Sequence, residues 1–299
     1  MTHFHAPLTP ASPGAAARAI RCPGALANIA TLARRECRDA VRSRWFLLYT
    51  LAFAALGLGV SFVSAVAAGG AGLSGFGRTS AGLINLILLV VPLMALSAGA
   101  GTIASDRERG MLAYVLAQPV SRFELLMGKY LGLAGALLAS ICLGIGACAL
   151  ILAIKGEATP ARSILWLAGL SFLLALSMLS VGVLLSVLAR RASLAVGTAI
   201  FAWLLLVFVT DLGLMAGAVA LRLRIEELFF VSLANPVQVF KMWALHASDA
   251  TLDVLGPAGL YAIEEHGPRL HAYFALSLGA WTIIPLAAAA AVFARRSPV

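Results

Sequence analysis

The chain has 299 residues, 61% hydrophobic and 12% charged, with a formal charge of +9. Soluble domains are nearer half apolar and a quarter charged, so this much apolar surface cannot be hidden inside a water-soluble body of this size and lipid must cover part of it. The Arg and Lys excess does not require a nucleic-acid partner, because in membrane proteins such an excess records topology.

Residues 1–24 carry Pro7, Pro10, Pro13 and Pro23 among many alanines. They hold no apolar run of signal-peptide length after a basic start and read as a disordered cytoplasmic tail. His3 and His5 are too few for a metal site. From residue 25 to 43 the pattern becomes helical. Leu26, Ile29, Ala30, Ala33, Cys37, Ala40 and Val41 recur at three and four residues, with Arg34, Arg35, Arg38, Asp39 and Arg42 on the other face. This predicts an amphipathic helix lying on the inner leaflet, its arginines toward headgroups.

A spanning helix needs about 20 mostly apolar residues. Six stretches qualify: 45–68, 81–103, 131–154, 163–188, 194–220 and 271–294. The expected fold is therefore an all-α integral membrane domain over residues 25–299. With the N-terminus inside, fifteen of the 22 Lys and Arg fall on the inner side, so both termini are expected in the cytoplasm of a multi-pass inner-membrane protein. Cys22, Cys37, Cys142 and Cys148 show no C-x-x-C spacing, which argues against a disulfide framework or structural zinc.

Between the second and third spans lies the most informative segment, residues 105–130. Charges come first, at Asp106, Arg107, Glu108 and Arg109. A short amphipathic turn follows, then Gln118-Pro119 breaks it. Ser121 with Glu124 three residues on makes a capping box for a second helix, which runs through Gly128-Lys129 into the third span. Helix, break and helix at the membrane surface predict a rigid knob for a soluble partner. Asp106 and Glu108 are expected to face basic groups of that partner or to cap the short helix. Leu112, Tyr114 and Leu116 should supply buried contacts to it, and Gly110 should allow close backbone approach.

Asp211 is an acid inside an apolar run. An intramembrane acid is costly and is a functional candidate by default; the plainer reading is local capping near the outer interface. The outer region, residues 221–270, is too small for an enzyme domain and is expected to form short helices on the outer surface. Asn235-Pro236 reads as a helix start, with Val237, Phe240 and Ala244 on one face. Met242 and His246 are four apart, two soft or borderline ligands that are usually packing residues. No P-loop, G-x-S-x-G or H-E-x-x-H pattern occurs, so the chain is read as non-catalytic and unable to hydrolyse ATP alone.

The run Asp106, Glu108, Gly110, Leu112, Leu116, Pro119, Arg122, Leu126, Gly128, Lys129 resembles the ATPase-coupling region of ABC-2 type permeases. Met111 stands where that family usually has Thr. The resemblance implies a type V-like six-helix permease that works as a homodimer. It also implies a separate cytoplasmic ABC ATPase dimer that binds the ATP and Mg, none being held by this chain. Within the family, Arg44-Trp45, Asp211 and Asn235-Pro236 resemble the permeases of NosDFY systems, which support copper-site maturation of nitrous oxide reductase. That implies a NosF-like ATPase, a periplasmic NosD-like protein and an outer contact through Asn235, Pro236 and Phe240. The alternatives are an ABC-2 exporter of a drug, lipid or polysaccharide and, in another class, a secondary transporter using Asp211. Against the last, no inverted repeat is evident.

Overall fold

The computed structural model describes residues 24–68, 75–118, 120–154, 161–209, 212, 225–247 and 269–295. Among these the regular structure is helical throughout. Helix α1 (Ala25–Arg42) is followed after one residue by α2 (Arg44–Ala68), at a bend of 66°. Ser43 makes the corner, its Oγ accepting the Phe46 N–H at 3.2 Å, a cap for the first turn of α2. α3 (Gly75–Glu108) and α5 (Arg122–Ile154) are long helices joined by the short α4 (Met111–Leu116). α6 (Ala161–Leu188) turns into α7 (Ala192–Leu204), which continues as a π-helical turn, Leu205–Val209. Then come α8 (Ile225–Leu233), α9 (Pro236–Ala247) and α10 (Leu270–Arg295).

Among the described residues, four helices are long and apolar enough to cross a membrane, Ala81–Glu108, Arg122–Ile151, Arg162–Leu188 and Leu270–Arg295; the bent α1–α2 pair makes up to five. The expected span at 194–220 is described only as α7 and its π turn, and Asp211 lies outside the described residues. Helices α3 and α5 also run past the predicted spans, to Glu108 at one end and from Arg122 at the other. The reason is that charged residues favour helix as readily as apolar ones once the helix leaves lipid.

α3 and α6 form the central pair. Ile87, Leu96, Ala100 and Ile103 of α3 and Leu174, Met178, Leu179 and Val183 of α6 are all buried. Their backbones touch at two glycines. A Cβ on Gly99 would lie 2.8 Å from the Leu179 carbonyl oxygen, and one on Gly182 2.6 Å from that of Leu96. Small residues that let backbones meet are how helices associate where lipid cancels the hydrophobic drive between them. One helical turn or so further along, Ser186 Oγ accepts the N–H of both Ile103 and Ala104 at 2.9 Å.

α1 lies along the start of α5. Gly128 and Gly132 clear a groove there: a Cβ on either would come within 2.6 Å of Leu32 or of Ala33 and Glu36. The amphipathic helix is thus present, with Arg34, Arg35, Arg38 and Arg42 exposed. Part of the face predicted to meet the membrane is instead laid on α5 through Ile29, Ala33 and Cys37, with Leu32 beside them. Gly57 likewise clears a close approach inside the chain, since a Cβ there would sit 2.6 Å from Cys148 Sγ.

The expectation of surface helices at residues 221–270 is corrected for α9; residues 221–224 and 248–268 lie outside the described residues. α9 is buried along nearly its whole length, from Pro236 to Leu245, and packs against α3, α6 and α10. The turn between α8 and α9 is held from two sides. Ser277 Oγ donates to the Leu233 carbonyl at 2.7 Å and Trp281 Nε1 to that of Ala234 at 3.2 Å. Asn235 Nδ2 donates to the Leu206 carbonyl in the π turn at 2.6 Å, while its Oδ1 accepts the Val237 N–H at 2.8 Å. Ser277 and Trp281 lie about 10 and 16 Å along α10, at roughly 1.5 Å per residue. α8 and α9 are therefore a helical hairpin dipping into the bundle. Its turn carbonyls find side-chain donors, as they must where water is absent. Asn235, Pro236 and Phe240 are buried, so the outer contact predicted for them is replaced by packing within the chain. The helix start at Asn235-Pro236 is as predicted.

The glycine seam gives a sign-specific test. Gly182→Ala should lower the thermal stability of the detergent-purified chain, because overpacking typically costs about 1–3 kcal/mol. Gly169→Ala, where a Cβ meets nothing within 4 Å, should raise it by up to about 1 kcal/mol through helix propensity. Equal shifts at the two positions would refute the close approach.

Candidate functional site

The site is the elbow α3–α4–α5, in which Asp106, Arg107, Glu108, Arg122, Glu124 and Lys129 each have a structural partner. Lys129 sits on α5, with its side chain 10% exposed. Its Nζ is 2.8 Å from Asp106 Oδ2 on α3 and 3.0 Å from Glu36 Oε2 on α1. One ammonium thus joins three helices. Such a pair holds only if both signs stay, since removing one partner strands the other charge in a poorly hydrated place.

The next two residues of α3 reach the opposite way. Arg107 Nη1 donates to the Ala189 carbonyl at 2.6 Å and to that of Val187 at 3.5 Å, at the end of α6. Glu108 Oε2 accepts the Ala192 N–H at 3.1 Å, at the start of α7. A cation at a helix C-terminus and an anion at an N-terminus both follow the helix dipole. Arg122 repeats the device on α10, its Nη1 donating to the Phe293 and Ala294 carbonyls at 3.1 and 3.0 Å.

The predicted capping box is present. The Glu124 N–H donates to Ser121 Oγ at 3.2 Å, and the Ser121 N–H to Glu124 Oε2 at 3.4 Å. The same carboxylate also accepts from Asn28 Nδ2 of α1 at 3.0 Å. At this exposed end of α5, the Asn28 amide first, then the Ser121 backbone and hydroxyl, hold the Glu124 carboxyl below the usual carboxylate range.

Asp106 and Glu108 were expected to face basic groups of a partner or to cap the short helix; Asp106 instead pairs with Lys129, and Glu108, though exposed, caps α7. Gly110 has φ 70°, the left-handed region, and a Cβ there would meet nothing of this chain within 4 Å. Glycine suits the conformation that ends α3 and begins α4. Leu112 is buried within its own chain and Leu116 half-buried. Tyr114 is 66% exposed, and Met111 and Phe123 are exposed beside it on the elbow. The predicted motif residues thus divide: Tyr114 faces out, while Asp106, Glu108, Leu112, Arg122, Gly128 and Lys129 hold the elbow to the bundle. Pro119 lies outside the described residues.

Sequence reasoning did not find Glu36 and Asn28, which it placed on neither face of the amphipathic helix, nor Arg107 and Ser186. At the far end of α9, His246 stacks at 5.2 Å on His271, whose Nδ1 accepts the Trp243 indole N–H at 2.9 Å. Met242 is buried nearby. Among the described residues no three of His, Cys, Asp and Glu group as a metal site.

Beside the elbow a cavity of about 710 Å³ opens between α1, α2, α3 and α7. Arg35, Asp39 and Arg109 line it near the elbow, with Trp45, Tyr49 and Met94 among its other walls. The lining is amphiphilic, with charge of both signs and aromatic surface.

Residues 30–297 match the family described as "ABC-2 family transporter protein". The chain is also similar to two curated relatives, each described as "Probable ABC transporter permease protein NosY". The relative from Stutzerimonas stutzeri is 31% identical over 271 residues, 89% of this chain and 97% of the relative. The relative from Pseudomonas aeruginosa is 33% identical over 272 residues, again 89% of this chain and 98% of the relative.

Lys129→Ala should destabilise the chain by about 3 kcal/mol, the cost of breaking a buried pair from one side. Adding Asp106→Asn and Glu36→Gln should recover part of the loss, because no unpaired carboxylate remains. Thermal unfolding in detergent reads both. A triple variant no better than the single would remove the ion pairs as the joint.

Proposed function

We propose, from the premise that this chain belongs to the ABC-2 family of transporter proteins, that it is a permease whose elbow takes the push of a separate ATPase and spreads it to the helix bundle. The observation that carries this is the elbow's two-sided build. Met111, Tyr114 and Phe123 face outward, and directly behind them the bonds of residues 106–129 run to α1, α6, α7 and α10. A load on α4 reaches four helices through polar contacts that do not stretch. An aromatic and two apolar side chains on a rigid helical knob suit a cleft on a protein partner, where such residues supply most of the binding energy.

In this reading the chain has six spans, in a type V-like arrangement. Both termini and the elbow face the cytoplasm of a bacterial inner membrane. The Arg and Lys asymmetry supports the orientation. Two copies form the working unit. Gly59 and Gly197, where a Cβ would meet nothing within 4 Å, remain open for a second copy, while Gly213 and Gly217 fall outside the described residues. ATP and Mg are bound by the partner ATPase, a NosF-like dimer, and this chain is non-catalytic.

The likeness to NosY permeases supports a narrower role: support of copper-site assembly in nitrous oxide reductase, together with a periplasmic NosD-like protein. That role asks for force transmission more than for a solute path. The 710 Å³ cavity favours a second reading, an ABC-2 exporter of an amphiphilic drug or lipid, because pockets of roughly 300–1,000 Å³ are of ligand size and this one mixes charged and aromatic walls.

The test is made on the complex purified through a tag on this chain. Tyr114→Ala should weaken ATPase retention by about 2 kcal/mol, roughly thirtyfold in affinity. Tyr114→Cys should cross-link to the ATPase surface. Efficient cross-links from cysteines at Arg190 or Arg191, with none from position 114, would move the docking site and overturn this assignment.

A further inference from the structure

We infer that the dipeptide Arg107-Glu108 is a clamp that makes α7 follow the elbow, so that Glu108 is a positioning residue for α7 and not a contact for the ATPase. The inference rests on the elbow being the loaded element, and it names how the load reaches one particular helix.

The turn between α6 and α7 is three residues long, Ala189 to Arg191. Both of its ends carry backbone groups without an intrahelical partner. Arg107 takes the carbonyls at one end, Ala189 at 2.6 Å, and Glu108 takes the N–H at the other, Ala192 at 3.1 Å. Two consecutive residues thus hold opposite poles of two helices. The signs are right at both poles, and swapping either charge would set like against like.

The clamp is also selective. α6 is already locked to α3 along the Gly99–Gly182 seam and by Ser186. α7 lacks these locks: Leu194, Gly197, Thr198 and Phe201 are exposed, and Gly197 has open space around it. Its ladder also changes to a π turn at Leu205. At the elbow end, then, α7 packs on α3 through one face, at Ala195 and Ala199, leaves its other face open, and has its first turn held by the Glu108 carboxylate. Within the π turn it meets the α8–α9 hairpin, where Asn235 donates to the Leu206 carbonyl. A displacement of the elbow would tilt α7 between these two fixed points while α6 stays with α3.

Two arms test this, and they fail separately. The first uses the chain alone in nanodiscs and follows amide hydrogen exchange. Glu108→Ala should speed exchange at Ala192 and its neighbours about three- to tenfold, the loss of one modest hydrogen bond. Glu108→Gln keeps an acceptor oxygen and should restore most of the protection. Unchanged exchange in Glu108→Ala overturns the clamp, whatever the ATPase does.

The second arm uses the complex with its ATPase, in a chain whose four cysteines are replaced, carrying a spin label at Leu194→Cys or Tyr114→Cys. With ATP and Mg added, both positions should respond in the otherwise native chain. In Glu108→Ala the label at 114 should still respond and the label at 194 should not, with the ATPase retained and the Gln variant responding at both. Loss of the ATPase from Glu108→Ala, or an intact response at 194, overturns the inference. Failure of any ATPase to bind even the native elbow would instead count against the coupling reading on which it builds.

Discussion

Lys129 is the point on which the elbow is built. A lysine with so little exposure costs several kcal/mol to desolvate unless its charge is answered. Two carboxylates answer it, and they come from helices far apart in the chain. The triad therefore does more than neutralise. It sets where α1 lies, because Glu36 must reach Nζ, and it sets the depth of α3, because Asp106 must reach the same atom. Gly128 and Gly132 complete the fit by letting α1 approach closely enough for that reach. The remaining fastenings of the elbow, at the ends of α6, α7 and α10, are drawn from residues within one or two helical turns of these positions.

At the other end of the bundle the governing constraint is different. There the problem is bare backbone. The turn of the α8–α9 hairpin would expose carbonyls and N–H groups in a region without water, and it is held by Ser277, Trp281 and Asn235. Asn235 does two things at once, capping α9 and filling the carbonyl of a helix that has left its regular ladder. An amide can do this because it carries donors and acceptor on one rigid plane.

Much of this was legible in the sequence, for reasons that can be named. The apolar runs located the helices, because lipid-length stretches leave little choice. The Ser121–Glu124 box and the break before it placed the elbow. What hydropathy does not carry is the destination of a polar side chain. Glu36 falls on neither face of the predicted amphipathic helix, yet it pairs with Lys129 across 93 residues. Glu108 reads as a docking charge from its motif, yet it caps a neighbouring helix. For Asn235-Pro236 the local reading was right and the location wrong: α8 and α9, at 9 and 12 residues, are too short to span, and nothing in their length tells a surface helix from one dipping inward. The family relationship fixes the class of the protein, and the likeness to NosY permeases covers most of its length.

The seating of α1 on α5 also has a consequence for how the chain is made. Glu36 leaves the ribosome 93 residues before Lys129, an interval of roughly 5–20 s at common rates of synthesis. Throughout that interval α1 has no groove to lie in, its own N-terminal residue Gly24 offers no side-chain cap, and its acid has no cation from α5. Its apolar stripe stays uncovered by this chain for that interval, and α5 takes over the part at Leu32, Ala33 and Cys37 only once Gly128 and Gly132 have been made.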